Sequence, residues 1–217
     1  MVVHNNIGKI LAVLSRLYPD ARTELVFRNN FELLIAVMLS AQCTDRQVNK
    51  ITAKLFKKYH NPDDIAVLTP DELAQDIREC GLYRNKSKNI VNTCRMLVER
   101  YGSEIPADMD ELLSLPGVGR KSASVVLIVA FGKPAMPVDT HVFRLARRLG
   151  LSRGKTPEAV EKDLLAIIPP DQLGHVHHWI IYHGRRVCSA RKPRCKECAL
   201  QNLCPSRQPQ DGFRSED

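Results

Sequence analysis

LPGVGRKSASVV, residues Leu115 to Val126, is the stretch on which the reading of this chain turns. Gly117 and Gly119 stand just ahead of Arg120 and Lys121, and apolar sequence follows. A nucleotide-binding phosphate loop needs Gly-x4-Gly-Lys-Ser/Thr after a strand. The spacing here is Gly-Val-Gly-Arg-Lys-Ser, and the preceding DMDELLSL (residues 108–115) reads as a helix. The stretch is therefore the turn between two helices. Its glycines let main-chain N–H groups approach a phosphate at the positive end of the second helix. Such a turn grips a nucleic-acid backbone and is no NTPase site.

Helical spacing continues on both sides. Ile7, Ile10, Leu11, Leu14 and Leu17 mark an amphipathic opening helix. Phe31 to Leu39 is apolar on nearly every face, which predicts a helix buried all round, with Asn30 as its cap. Val48, Ile51, Leu55 and Tyr59 mark the next helix. Thr69-Pro70-Asp71-Glu72 has capping-box spacing, Asp108 to Glu111 repeats it with Asp as the cap, and Thr156-Pro157-Glu158 is similar. Gly81, Gly102, Gly132 and Gly150 each follow an apolar run and read as helix stops. No alternating strand, internal repeat or low-complexity linker stands out. The fold class is all-α. GKPAMPVD, residues 132–139, breaks the periodicity with two prolines and is a candidate joint between two lobes.

Charge narrows the partner. The 217 residues carry a formal charge of +8 with a pI near 9.2, which favours a polyanion such as nucleic acid or an acidic membrane surface. Between His183 and Arg207, seven basic residues face Glu197 alone, so the basic excess is concentrated in one short segment. The final DGFRSED reads as a frayed polar tail. No run reaches transmembrane length and the N-terminus lacks the order of a signal peptide, so a cytosolic or nuclear setting is expected, where disulfides are rare.

Four of the seven cysteines gather as Cys188-x6-Cys195-x2-Cys198-x5-Cys204. Four thiolates suit zinc or an iron–sulfur cluster. Structural zinc usually takes two short Cys pairs set well apart, whereas here one short pair is flanked by single cysteines. The spacing puts a cluster modestly ahead of zinc and leaves both open. Either would supply folding energy to a segment with little apolar sequence. Cys43, Cys80 and Cys94 sit in helical patterns and read as packing thiols. The histidines of HVHH, residues 175–178, read as packing groups beside Trp179 rather than metal ligands. One tryptophan and few aromatics argue against a base-stacking single-strand binder.

Lys121 falls in the first turn of the second hairpin helix. The helix dipole and neighbouring Arg120 both disfavour a cation there, so a neutral, nucleophilic amine competes with a plain phosphate contact. Asp139, in MPVDTHVFR, precedes another helix and reads as its N-cap. A capping carboxylate can still face a cleft. Amine and carboxylate together are a minimal kit for chemistry at a sugar C1′: one stabilises an oxocarbenium-like centre and the other captures it.

FELLIAVMLSAQCTD, GLYRNKSKNI, LPGVGRKSASVV, VDTHVFR, HHWIIYHGR and the cysteine spacing together resemble the endonuclease III family of helix-hairpin-helix DNA glycosylases, over roughly Ile7 to Pro205. The resemblance implies a base-excision-repair enzyme that removes oxidised pyrimidines and cleaves the resulting abasic site. It implies Lys121 as the Schiff-base nucleophile, Asp139 as its carboxylate partner, and Cys188, Cys195, Cys198 and Cys204 as ligands of a [4Fe–4S] cluster. Gln42 and Leu82 are implied to fill the gap and wedge the stack when a nucleotide is extruded. Gly117, Gly119, Arg120, His141, Arg144, Arg185, Arg191 and Lys192 are the remaining candidate DNA contacts. The implied fold is two α-helical lobes around a DNA-binding cleft. Residues 22–133 form a six-helix lobe with the hairpin, and residues 1–21 plus 134–217 form the other, with the cluster loop at 188–204. A monomer on damaged duplex DNA, in the cytoplasm at the nucleoid, completes the expectation. Ser122 stands where threonine is more usual and keeps the hydroxyl. Two rivals remain: a mismatch adenine glycosylase, which works without the lysine and normally carries a further C-terminal domain, and a non-enzymatic DNA-binding module with a zinc loop.

Overall fold

The computed structural model describes residues 6–207; the tail sequence DGFRSED lies outside them. Among the described residues there are α-helices and short 3-10 turns and no strand. No helix among them is long and apolar enough to cross a membrane. The chain divides into two compact units, one spanning Thr23–Ala135 and the other joining the segments before and after it.

The first helix, α1 (Ile7–Leu17), turns Ile10, Leu11 and Leu14 inward and leaves Leu17 at the surface. It belongs to the discontinuous unit, where it packs on the last helix.

The Thr23–Ala135 unit is built around α2 (Asn30–Ser40), whose residues Phe31 to Leu39 are all buried. Even Glu32 is inside, where its carboxylate meets the Arg28 guanidinium at 2.8 Å and accepts from Arg28 N. The cap is Asn29 rather than Asn30. Asn29 has extended backbone, so its side chain can reach Glu32 N at 2.9 Å, and Asn30 is already in the helix. α3 (Asp45–Leu55) buries Val48, Ile51 and Leu55. Tyr59 lies past its end, where its hydroxyl donates to Asp76 at 2.9 Å. α4 (Pro62–Ala66) and α5 (Pro70–Asp76) are short, each with proline at the first position, and Thr69 and Glu72 form the complete capping box. α6 (Tyr83–Tyr101) runs along α2, α4 and α5 and stops at Gly102, with φ of 57°. α7 (Met109–Ser114) and α8 (Arg120–Ala130) make the hairpin, and α8 packs on α2. The unit holds the helices α2 to α8, of which α4 is a single turn capped by Asn61 with Pro62 at its first position, in a segment too short to show periodicity.

Gly81 is not a helix stop. α5 ends at Asp76, and Gly81 stands in the turn before α6. Of the three helix-pattern cysteines, only Cys94 is helical and buried. Cys80 is buried in that same turn, and Cys43 is half-buried just past α2.

After Ala135 come α9 (Thr140–Arg148), α10 (Pro157–Ile167), a 3-10 turn at Pro170–Gln172, and α11 (Leu173–Arg186). α9 packs on α10 and α11. Gly184 allows close approach of α9 to α11, since a Cβ there would lie 2.9 Å from His141 Nδ1.

Candidate active site and cysteine loop

In the hairpin, Asp108 caps α7 by accepting from Asp110 N and Glu111 N. The turn is then pinned from inside: Val118 is buried, Val118 N donates to Leu115 O at 3.1 Å, and Thr93 Oγ1 donates to Pro116 O at 2.8 Å. The two glycines differ. Gly117 has φ of 79°, and a Cβ on it would lie 2.7 Å from Asn89 Nδ2. Gly119 has extended backbone, and a Cβ there would meet nothing within 4 Å. Packing demands glycine at 117, while Gly119 leaves open space in front of α8. No side chain caps α8, so its first N–H groups face a site suited to an anion. Arg120 and Lys121 are exposed on that first turn.

Asp139 lies in the other unit, where Oδ1 accepts from Val142 N at 2.7 Å as the cap of α9. Its neighbours serve as a frame. Arg144 donates to Cys188 O from Nε (3.1 Å) and Nη2 (3.0 Å), and to Gly184 O at 3.1 Å, and Nη2 lies 3.1 Å from His141 Nδ1. His141 and Arg144, read from sequence as DNA contacts, thus join α9 to the end of α11. Burial holds the His141 imidazole below the usual histidine range, with Asp139 opposing. Arg185, Arg191 and Lys192 are exposed.

Gln42 and Leu82 come together in the Thr23–Ala135 unit. A Cβ on Gly81, next to Leu82, would touch Gln42 O at 3.4 Å. Gln42 is exposed, and Leu82 is 54% exposed, a large apolar side chain left at the surface of the turn before α6.

All four clustered cysteines line one cavity with Leu145, Leu149 and Val187, around atom-free space of about 550 Å³ that includes its open mouth. Burial pushes the Cys198 and Cys204 thiols up, and neighbouring cysteines act in the same direction. Two partners escaped sequence reading. Arg148 donates from Nη1 to Cys188 Sγ at 3.3 Å and to Ser189 O at 2.8 Å, and from Nη2 to Ala190 O at 2.8 Å. His183 Nε2 lies 3.4 Å from Cys198 Sγ, with Nδ1 held 3.0 Å from the Tyr18 hydroxyl. Nothing in LARRLG marks Arg148 for this work, because its partners lie about forty residues away. Among the described residues no three His, Cys, Asp or Glu side chains gather closely enough to hold a single metal ion. The HVHH histidines pack as expected: His175 stacks on Trp179 and His177 meets His178 edge-on.

The chain matches the family model of HhH-GPD superfamily base excision DNA repair proteins over residues 35–170. It is 51% identical to endonuclease III of Bacillus subtilis over 196 residues, covering 90% of each chain. With endonuclease III of Escherichia coli it shares 48% identity, over 92% of this chain and 96% of the other. A solved endonuclease III–DNA covalent intermediate, trapped in an estranged-adenine complex, superposes with a TM-score of 0.90 at 51% identity, over 95% of this chain and 97% of that one. Hairpin, helical units and whole-length similarity lead to one conclusion: the chain belongs to the endonuclease III family within the HhH-GPD superfamily of base excision DNA repair proteins.

Proposed function

We propose that this chain is a DNA glycosylase and abasic-site lyase that removes oxidised pyrimidines from duplex DNA, with Lys121 as nucleophile and Asp139 as its carboxylate partner. The observation that carries the reading is Lys121 itself: an exposed lysine on the first turn of an uncapped helix, behind a turn open over Gly119.

A base inside a duplex is out of reach and must be extruded, and weakened stacking makes a lesion easier to extrude. Gln42 and Leu82 occupy the space it leaves, and the apolar Leu82 offsets part of the lost stacking. Gly117, Gly119 and Arg120 hold the backbone, and Arg185, Arg191 and Lys192 add positive charge. His141 and Arg144 contribute through the frame they build under α9. At C1′ the bond to the base breaks, and the base leaves with the bonding electrons and takes up a proton. Asp139 stabilises the positive charge that develops on the sugar. The neutral Lys121 amine bonds to C1′, and ring opening gives an iminium. The iminium makes the C2′ proton acidic. Its loss breaks the C3′–O bond, expels the 3′ phosphate and nicks the strand. Water then hydrolyses the imine and releases Lys121.

Cys188, Cys195, Cys198 and Cys204 would hold a [4Fe–4S] cluster, whose thiolate–iron bonds supply folding energy to the basic loop. One zinc would need every sulfur about 2.3 Å from a single point. All four thiols line one cavity, and it is their spacing, one short pair flanked by single cysteines, that favours a cluster. The reading takes residues 22–133 as one lobe and the rest as the other, acting as a monomer on duplex DNA in the cytoplasm.

Borohydride trapping on a duplex with one thymine glycol tests the proposal. Wild-type protein forms a covalent adduct and Lys121→Gln does not. Adduct formation by the variant would move the nucleophile to another amine; no adduct from folded, cluster-loaded wild type would return Lys121 to a phosphate contact and favour the adenine-glycosylase or binding-module reading.

A further inference from the structure

Three non-glycine residues among those described have positive φ: Gln42 at 54°, Leu82 at 58° and Ser103. A left-handed backbone at a residue with a Cβ persists only where its surroundings hold it. Two of the three are the pair assigned to the duplex, and one residue holds both.

Lys86 lies in the first turn of α6. Its N–H donates to Leu82 O at 3.0 Å and so fixes the peptide that leaves Leu82. Its side chain is buried, with 7% exposed. Nζ donates to Ala41 O at 2.6 Å, to Leu39 O at 2.9 Å and to Cys80 Sγ at 3.1 Å. The Ala41 carbonyl belongs to the peptide that enters Gln42, so its orientation is tied to the φ of Gln42. Leu39 O is a last-turn carbonyl of α2, where helices leave acceptors unfilled. Cys80 stands two residues before Leu82. An ammonium has three N–H donors, and the three acceptors match them.

We infer that Lys86 is a positioning residue for base extrusion. Its backbone and ammonium lock the peptides at Gln42 and Leu82 so that both side chains enter the duplex as one preorganised pair. The inference rests on the proposed entry of Gln42 and Leu82 into DNA.

Lys86→Met keeps the length and apolar stem and removes all three donors. Two assays separate its role: single-turnover removal of thymine glycol beside a 2-aminopurine reporter, and borohydride trapping on a duplex with a preformed abasic site, where no base need be unstacked. Base removal and the reporter's fluorescence rise are expected to slow by about tenfold or more, with trapping changed by less than about twofold. Combined with Leu82→Ala, the losses should fall short of additive, because both act through one wedge. Equal losses in the two assays, additive losses, or unchanged base removal would overturn the inference. Lys86→Gln, which keeps an amide donor, replaces Lys86→Met if the latter does not fold, and is held to the same criteria. A wild-type protein that forms no adduct would instead overturn the reading beneath it.

Discussion

Asn89 occupies the space that a side chain at residue 117 would need: its Cβ and Nδ2 lie 2.8 and 2.7 Å from where a Gly117 Cβ would stand. The hairpin turn is thereby pressed onto α6, and the Thr93 bond to Pro116 O holds it on the same side. Asn89 and Thr93 are one helical turn apart on α6, so the helix face shapes the turn.

Gly117→Ala is expected to destabilise the protein by at least about 1–2 kcal/mol from left-handed backbone alone, with the Asn89 contact adding to it. Gly119→Ala should stay within about 0.5 kcal/mol of wild type, having extended backbone and open space. Its cost should appear in DNA affinity, because the added methyl stands where a phosphate would approach α8. Urea unfolding and binding titrations on the two variants separate packing from contact.

Asp139 carries two duties that substitution can divide. Asparagine caps helices about as well as aspartate, so Asp139→Asn should leave stability near wild type while lowering base removal by on the order of 10²-fold or more. Asp139→Ala should lose activity and also about 1 kcal/mol of stability, because the bond to Val142 N goes. If Asp139→Asn unfolds as readily as Asp139→Ala, its loss of activity reports the cap and not the chemistry.

Loss of the proposed cluster should act locally. Cys198→Ser, or oxidative loss of the cluster, is expected to abolish visible absorption and loosen residues 188–207, while Thr23–Ala135 keeps its hydrogen-exchange protection. DNA binding should weaken and its salt dependence flatten, since the basic loop would no longer hold its charges in place. Colourless protein with stoichiometric zinc after anaerobic purification would replace the cluster with a zinc site.

Burial holds the His178 imidazole down to about 4, and the nearby His175 acts in the same direction. The unfolded chain then takes up a proton near pH 6.5 that the folded chain refuses. The His178 contribution is therefore complete above pH 6.5 and is lost as pH falls toward 4, up to about 3 kcal/mol. Stability measured by urea unfolding at pH 7, 6 and 5 should fall less steeply in His178→Gln than in wild type. Parallel slopes would show that this histidine is not the group responsible.

Much of the molecule was legible in the sequence because its signals are local. Helical periodicity, the Thr69–Glu72 box and the Asp108, Asp139 and Thr156 caps all join residues within about one turn, and the structure has each of them. Spacing alone likewise grouped Cys188, Cys195, Cys198 and Cys204. The Asn29 cap was missed by one residue, because adjacent asparagines differ only in backbone angle.

The sequence by itself determined most of the helical segments, where several of them start, and that the hairpin places a lysine at an open helix end. Only the tertiary structure decided how side chains act across distance. Lys86 reaches Leu39 and Ala41 over more than forty residues of chain, and Arg148 reaches the cysteine loop over as many. Neither partner is marked by spacing, since a buried donor is matched to whichever carbonyl the fold delivers. The left-handed backbones of Gln42 and Leu82 have the same origin: residues with side chains do not choose that conformation locally, and long-range contacts hold them in it.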